Sequence, residues 1–162
     1  MSRKIYLIRH SYAEEPNGKR DIERELTLEG QSTVRALGRH LIKENFNPDV
    51  ILCSTSTRTK QTALNLVEEL GMNEGAVEYK EVIYNASVRE LLALLNDLSD
   101  SQKSIAIIGH NPTITFFGEY LSASAIGNME PAGVVTIKFD KLKWSEVSQG
   151  TGVFSSYFHP NH

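Results

Sequence analysis

The chain has 162 residues, 40% of them hydrophobic and 23% charged, and this length predicts a single domain over residues 1–162. Its 17 lysine and arginine residues against 20 aspartate and glutamate residues give a net charge of −3, which argues against a general nucleic-acid binder. The single cysteine excludes an internal disulfide, and no apolar run is long enough for a membrane span or a signal peptide, so we expect a cytoplasmic protein without a membrane partner.

Short apolar runs alternate with segments of helical periodicity along the chain. Buried strands are predicted at 3–9, 49–53, 76–81 and 104–108. Helices are predicted at 28–45, 58–70, 88–98 and 112–121, with Thr27 capping the first and Gly71 ending the second. Two further strands, at 133–139 and 152–158, are predicted to close the sheet as an antiparallel pair. This order indicates an α/β fold, a three-layer α/β/α sandwich around a mainly parallel sheet.

Charged and polar residues stand where the buried strands end. Arg9 and His10 end the first strand, Arg58 follows the second, and His110 follows the fourth. Because ligands of such sheets gather outside the carboxyl ends of the strands, these residues predict one functional cleft. Asn111 is a favoured N-cap, which would place His110 just before a helix N-terminus that attracts anions. Two arginines and two histidines at such a place suit a phosphoryl group, with a histidine as nucleophile.

Three ordered motifs resemble those of the histidine phosphatase superfamily, also called phosphoglycerate mutase-like. They are Arg9-His10-Ser11-Tyr12-Ala13, the block from Ser54 to Ala63, and Gly109-His110-Asn111-Pro112. The closest resemblance is to the short SixA-type phosphohistidine phosphatases, whose D-x-x-R-x-L-T-x-x-G pattern is matched by Asp21, Arg24, Leu26, Thr27 and Gly30. The resemblance implies a phosphoglycerate mutase-like fold and a phosphatase that acts through a covalent phosphohistidine.

The resemblance also assigns roles to particular residues. His10 would be the nucleophile, Arg9 and Arg58 would clamp the phosphoryl oxygens, and His110 would stabilise the transition state. Substrate-binding positions would be Arg24, Ser11 and Asn111. No metal and no cofactor are expected, because guanidinium groups neutralise the charge that Mg²⁺ neutralises in other phosphoryl-transfer enzymes.

One departure bears on the leaving group. Phosphomonoesterases of the superfamily carry an acidic general acid where this chain reads Val82-Ile83-Tyr84-Asn85-Ala86, without a carboxylate. An imidazole whose second nitrogen is protonated leaves as a neutral ring and needs such help far less than an alkoxide does. A site without the acid should therefore prefer N–P bonds, or esters with good leaving groups. Glu14, Glu15 and Asp21 are nearby acids that could substitute, but we interpret them as part of a solvated loop.

Four other functions compete with this hypothesis. A cysteine-dependent phosphatase would use Cys53, but the spacing to Arg58 is C-x₄-R where C-x₅-R is required. A phosphoryl mutase would need lid segments for which the chain has little room. A small-metabolite phosphomonoesterase and a non-catalytic phospho-ligand binding domain stay open. The partner is thus a phosphorylated protein or a small phosphorylated molecule, and the sequence does not fix the oligomeric state.

Four residues have no functional interpretation in the sequence. Arg3 reads as a polar lead-in to the first strand, and Trp144 lies in a polar stretch. His159 and His162 belong to a polar tail.

Overall fold

The computed structural model describes residues 2–160, and their centre is one six-stranded sheet. The strands are β1 (Ser2–Arg9), β2 (Val50–Cys53), β3 (Val77–Tyr79), β4 (Ser104–Gly109), β5 (Val134–Asp140) and β6 (Val153–Phe158), in the order β3-β2-β4-β1-β5-β6. The first four strands are mutually parallel, whereas β5 pairs antiparallel with β1 and β6 antiparallel with β5. The predicted mainly parallel sheet with a closing antiparallel pair is confirmed.

Four helices cover the sheet: α1 (Leu28–Lys43), α2 (Thr57–Leu70), α3 (Val88–Asn96) and α4 (Thr113–Ser122). The Thr27 hydroxyl accepts a hydrogen bond from the Gly30 N–H and caps α1, as predicted. Gly71 ends α2 with φ of 69°, a left-handed conformation that glycine adopts without a steric penalty. Short 3₁₀ turns occupy Asp21–Glu23, Glu74–Ala76, Glu81–Ile83 and Trp144–Glu146.

Alternate residues of the strands enter two separate cores, because successive side chains of a strand point to opposite faces. Tyr6 and Ile8 pack under α1 and α2, with Leu37 and Leu66 among their neighbours in the cluster. Ile5 and Leu7 pack on the other face, under α3 and α4; this second cluster includes Leu91, Leu95, Ile114 and Phe117. The two cores make the three-layer α/β/α sandwich that the sequence predicted.

Arg3 and Trp144 are both buried, which the sequence did not indicate. The guanidinium of Arg3 donates to the carbonyl oxygens of Leu142, Asp100 and Gln102 and lies 5.4 Å from the centre of the Trp144 ring. The indole Nε1–H of Trp144 donates to the same Gln102 oxygen. The pair therefore ties the start of β1 to the turn before β4 and the turn after β5, and Arg3 is structural rather than a polar lead-in. His162 lies outside the described residues.

Candidate active site

A cavity of about 350 Å³ opens at the carboxyl ends of β1 and β4. It is lined by Arg9, His10, Asp21, Arg24, Arg58, Tyr84, Asn85, His110 and Asn111. Arg9 and Gly109 are register partners in the sheet, so the residues that follow each strand are held side by side. The structure thus brings together six of the seven site residues that the sequence predicted, at the edge where the strand-end rule places ligands.

His10 is held at this edge by its backbone and by its ring. Its N–H donates to the Gly109 oxygen, and its carbonyl accepts from the Ala132 N–H. The ring Nδ1 lies 2.7 Å from the Ser11 carbonyl oxygen, which can only accept, so Nδ1 carries the proton. This tautomer leaves the lone pair on Nε2. Burial lowers the pKa of His10 to about 3, so the imidazole is neutral and nucleophilic at neutral pH.

Arg58, at the start of α2, connects the reactive groups. Its Nε lies 3.4 Å from Nε2 of His10, and its Nη2 lies 3.5 Å from Nδ1 of His110. Its Nη1 and Nη2 donate to the backbone oxygen and the carboxylate of Asp21, at 2.8 and 3.0 Å. The residue is only 6% exposed, so its charge acts in a site from which water is largely excluded. A planar fork of donors beside the nucleophile suits a phosphoryl group.

Arg9 supplies a second guanidinium to the cavity. Its Nη1 donates to the Met129 carbonyl oxygen at 2.8 Å, which fixes the group in the loop before β5. Its Nε is the one buried side-chain nitrogen or oxygen atom within residues 2–160 that has no hydrogen-bond partner. Buried donors are nearly always paired, so this N–H is available for an acceptor such as a phosphoryl oxygen.

His110 is oriented by Ser54, the first residue of the second motif, to which the sequence assigned no individual role. Its Nε2 lies 2.8 Å from the hydroxyl oxygen of the fully buried Ser54, at the end of β2. Its Nδ1 faces Arg58 and therefore the phosphoryl position. Burial, and then the charge of Arg58, lower the pKa of His110 to about 4. The imidazole is neutral, so the ring can donate to a phosphoryl oxygen only when Ser54 donates to Nε2 and the ring proton sits on Nδ1.

Asp21 lies in the cavity, which corrects its interpretation as part of a solvated loop. Its carboxylate accepts hydrogen bonds from Arg24, Arg58 and the phenol of Tyr84. These bonds hold the pKa of the Asp21 carboxyl well below its usual range, the phenol having the largest effect, so the group is ionised. Glu14, in contrast, pairs with Lys19 at the surface. Arg24 lines the cavity and is fixed by Asp21 and by the Glu14 carbonyl oxygen.

Two predicted substrate-binding residues use their polar groups elsewhere. The structure does not bring Ser11 to the cavity: its hydroxyl donates to the Gly30 oxygen and its N–H to Thr62 Oγ1, so its contribution is the carbonyl that holds His10. Asn111 lines the cavity, but its amide is bonded to Asn128, Met129 and Thr115. The predicted Asn111 cap is wrong, since α4 begins at Thr113 with Pro112 in the N-cap position.

Cys53 does not reach the cavity. Its thiol is fully buried at the end of β2 and lies 3.3 Å from the carbonyl oxygens of Ser54 and Thr59. Burial raises its pKa to about 12, so it is a thiol and not a thiolate at neutral pH. The structure therefore contradicts a cysteine nucleophile.

The two neutral histidines should make the stability of the protein depend on pH. Their pKa values of about 3 and about 4 lie below the value of about 6.5 expected in the unfolded chain. At pH values between the folded-state and unfolded-state pKa of each histidine, the unfolded chain binds a proton that the folded protein does not, so acidification favours unfolding. From pH 7 to pH 5 we expect each histidine to lower the free energy of unfolding by about 2 kcal/mol.

Urea denaturation at the two pH values measures this effect. The variant His110→Gln should lose about half of the pH dependence, whereas His159→Gln, which alters a residue outside the cavity, should keep all of it. An unchanged pH dependence in His110→Gln would contradict the burial of a neutral imidazole there.

Residues 2–160 contain no group of three or more histidine, cysteine, aspartate or glutamate side chains placed to hold a metal ion. None of the helices in this part of the chain combines the length and the apolar character that a membrane span requires.

Comparison with known proteins gives consistent matches. The model of the histidine phosphatase superfamily (branch 1) matches residues 5–91. An uncharacterized protein of Mycobacterium tuberculosis is 24% identical over 162 residues, 94% of this chain and 99% of its own length. A protein from Nakamurella multipartitia that is assigned as a SixA phosphohistidine phosphatase is 25% identical, with a TM-score of 0.82 over 99% of this chain and 97% of that one. A protein histidine phosphatase SixA complexed with tungstate shares the fold, with 19% identity and a TM-score of 0.83 over 96% of both chains.

Proposed function

Because the chain belongs to the histidine phosphatase superfamily, we propose that it is a SixA-type phosphatase that removes the phosphoryl group from a phosphohistidine of a protein. The observation that carries the proposal is the lone pair on Nε2 of His10, which faces the cavity beside the Arg58 guanidinium. The likeness to SixA structures, one of them complexed with the tetrahedral oxyanion tungstate, supports an oxyanion as the bound group.

The reaction proceeds in two displacements at phosphorus. Nε2 of His10 forms a bond to phosphorus while the P–N bond of the substrate breaks, and the electron pair of that bond leaves with the substrate imidazole. Water then forms a P–O bond while the P–Nε2 bond breaks. The electron pair of that bond returns to Nε2, His10 is neutral again because Nδ1 has kept its proton, and inorganic phosphate leaves with the protons of the water. Arg9 and Arg58 bind the phosphoryl oxygens throughout, and His110, with Ser54 donating to its Nε2, donates from Nδ1 to a third oxygen.

The charge state of the cavity supports a nitrogen leaving group. Asp21 is the one carboxylate among the residues that line the cavity, and it is ionised, so none of these residues offers a protonated carboxylic acid. An alkoxide leaving group needs a proton, and a general acid typically contributes about 10²–10⁴-fold to such a reaction. An imidazole protonated on its other nitrogen departs as a neutral ring without that help.

The test is a comparison of kcat/KM for a phosphohistidine peptide, a series of aryl phosphates and an alkyl phosphate. We expect phosphohistidine to be among the best substrates, aryl phosphate rates to fall steeply as the pKa of the leaving group rises, and the alkyl phosphate to react slowest. All assays include EDTA, which should leave the rates unchanged, because the proposed charge neutralisation comes from arginine alone. Fast turnover of an alkyl phosphate, with chemistry rate-limiting, would instead favour a small-metabolite phosphomonoesterase, and inhibition by EDTA would contradict the metal-free mechanism.

A further inference from the structure

Asp21 occupies an unusual position for a carboxylate, at the mouth of a cavity built to hold an anion. Its side chain is 51% exposed, whereas that of Arg58 beneath it is 7% exposed. The Arg58 guanidinium links it to the nucleophile, since Nε lies 3.4 Å from Nε2 of His10 and Nη2 donates to Asp21. A phosphoryl group on His10 would therefore share Arg58 with a carboxylate that is half exposed to solvent.

The net charge of the residues that line the cavity equals in size the charge of one phosphoryl dianion. The lining contains three arginines and one carboxylate, together with two neutral histidines, which gives a net charge of +2. A phosphoryl dianion brings this total to zero. Asp21 is shared by two of these arginines, since Arg24 and Arg58 each lie 3.0 Å from its carboxylate, so part of their positive charge is already offset before a substrate binds.

We propose that Asp21 selects substrates by the charge of the leaving group, admitting neutral and cationic groups and disfavouring anionic ones. A carboxylate near the departing group repels a further negative charge and attracts a positive one, and in a partly desolvated cavity this is worth about tenfold in rate or more. The selection favours the imidazole of a phosphohistidine, whose ring N–H can donate to Asp21. It disfavours phosphorylated metabolites that carry a carboxylate or a second phosphate. In naming the natural leaving group, the inference rests on the proposed function.

Tyr84 and Arg24 hold this carboxylate in place. The phenol of Tyr84 donates to Oδ2 and Arg24 donates to Oδ1, so both carboxylate oxygens are held by hydrogen bonds. The Tyr84 ring also meets the His110 ring edge to face, with centroids 5.5 Å apart. Asp21 is therefore ordered as a specificity-determining residue that contacts the leaving group.

The experiment uses three aryl phosphates with leaving groups of matched pKa, one carrying a quaternary ammonium group, one a neutral group and one a carboxylate. In the unaltered protein, kcat/KM should be highest for the cationic substrate and lowest for the carboxylated one. In Asp21→Asn the ratio of carboxylated to neutral substrate should rise about tenfold, and the ratio of cationic to neutral substrate should fall. The control is Glu23→Gln. Glu23 lies in the same 3₁₀ turn as Asp21, but its carboxylate pairs with Arg20 outside the cavity, so this variant should leave all the rate ratios unchanged.

Tyr84→Phe keeps the charge of Asp21 while removing a hydrogen bond, so the ranking of the three substrates should persist. Equal slowing of all three substrates by Asp21→Asn would show that Asp21 only positions the arginines and would overturn the inference. Equal values of kcat/KM for the three substrates in the unaltered protein would also overturn the inference. If the charge ranking holds but phosphohistidine is not hydrolysed, the proposed function fails and the selection by Asp21 stands.

Discussion

Replacing His10 with alanine should abolish the hydrolysis of every phosphorylated substrate, lowering kcat by roughly 10⁴-fold or more while the fold persists. Nε2 of His10 carries a lone pair, because its neighbour Arg58 can only donate a hydrogen bond to it. The second histidine of the cavity, His110, uses its own Nε2 to contact Ser54. Steady-state kinetics measure the loss, and circular dichroism with urea denaturation checks the fold.

Cys53→Ser is the matched control for the nucleophile. The thiol is buried away from the cavity, so turnover should be retained, with a stability loss of about 1–3 kcal/mol from the new polar group in the core. Near-normal turnover by His10→Ala would remove His10 as the nucleophile, and an inactive but folded Cys53→Ser would contradict a thiol without a part in turnover.

Arg58→Ala should lower kcat/KM by at least about 10²-fold. The guanidinium contacts His10, His110 and Asp21 at once, so its loss removes a charge-assisted clamp and leaves the nucleophile without its neighbour. Arg58→Lys should recover little activity, because a single ammonium group cannot reproduce the donations of a planar guanidinium to His10 and to two oxygens of Asp21.

The control for this prediction is Arg20→Ala, an exposed arginine that pairs with Glu23 near the cavity without lining it. Its kcat/KM should match that of the unaltered protein. Full recovery of activity in Arg58→Lys would show that only the net charge of the site matters and would contradict the clamp.

The convergence of Arg9, His10 and His110 could be predicted because it follows from strand order alone. Apolar runs that end at these residues indicate buried strands, and the carboxyl ends of parallel strands share one edge of the sheet. The observed pairing of β1 with β4 places the residues after Arg9 and Gly109 side by side, as that argument requires.

The position of Asp21 could not be predicted in the same way. The segment between β1 and α1 has no periodicity, and it is held by a bridge within itself and by side chains of α2. Ala13 forms an isolated bridge with Leu26, and the Leu26 N–H donates to the side-chain oxygen of Gln61 on α2, 35 residues away. The local sequence around Asp21 carries no information about a bond to a residue on another helix. A carboxylate that lines the cavity therefore could not be distinguished, from sequence, from one in a solvated loop.

Close packing explains why Ser11 was misplaced. A side chain at Gly30 would lie 2.2 Å from the Tyr12 carbonyl oxygen, so only glycine lets α1 approach this segment. That approach brings the Gly30 carbonyl to the Ser11 hydroxyl and buries it. Arg3 and Trp144 are a second case, since their contact joins residues 141 positions apart in sequence.

The phosphorylated intermediate tests the central claim most directly. The protein is mixed with a phosphohistidine peptide or an activated aryl phosphate, quenched in alkali within one turnover, and analysed by peptide mass spectrometry. The mechanism predicts one phosphoryl group on His10, stable in alkali and lost in acid, and none in His10→Ala. Turnover without any label on His10, or a label on another residue in the unaltered protein, would contradict covalent catalysis by His10.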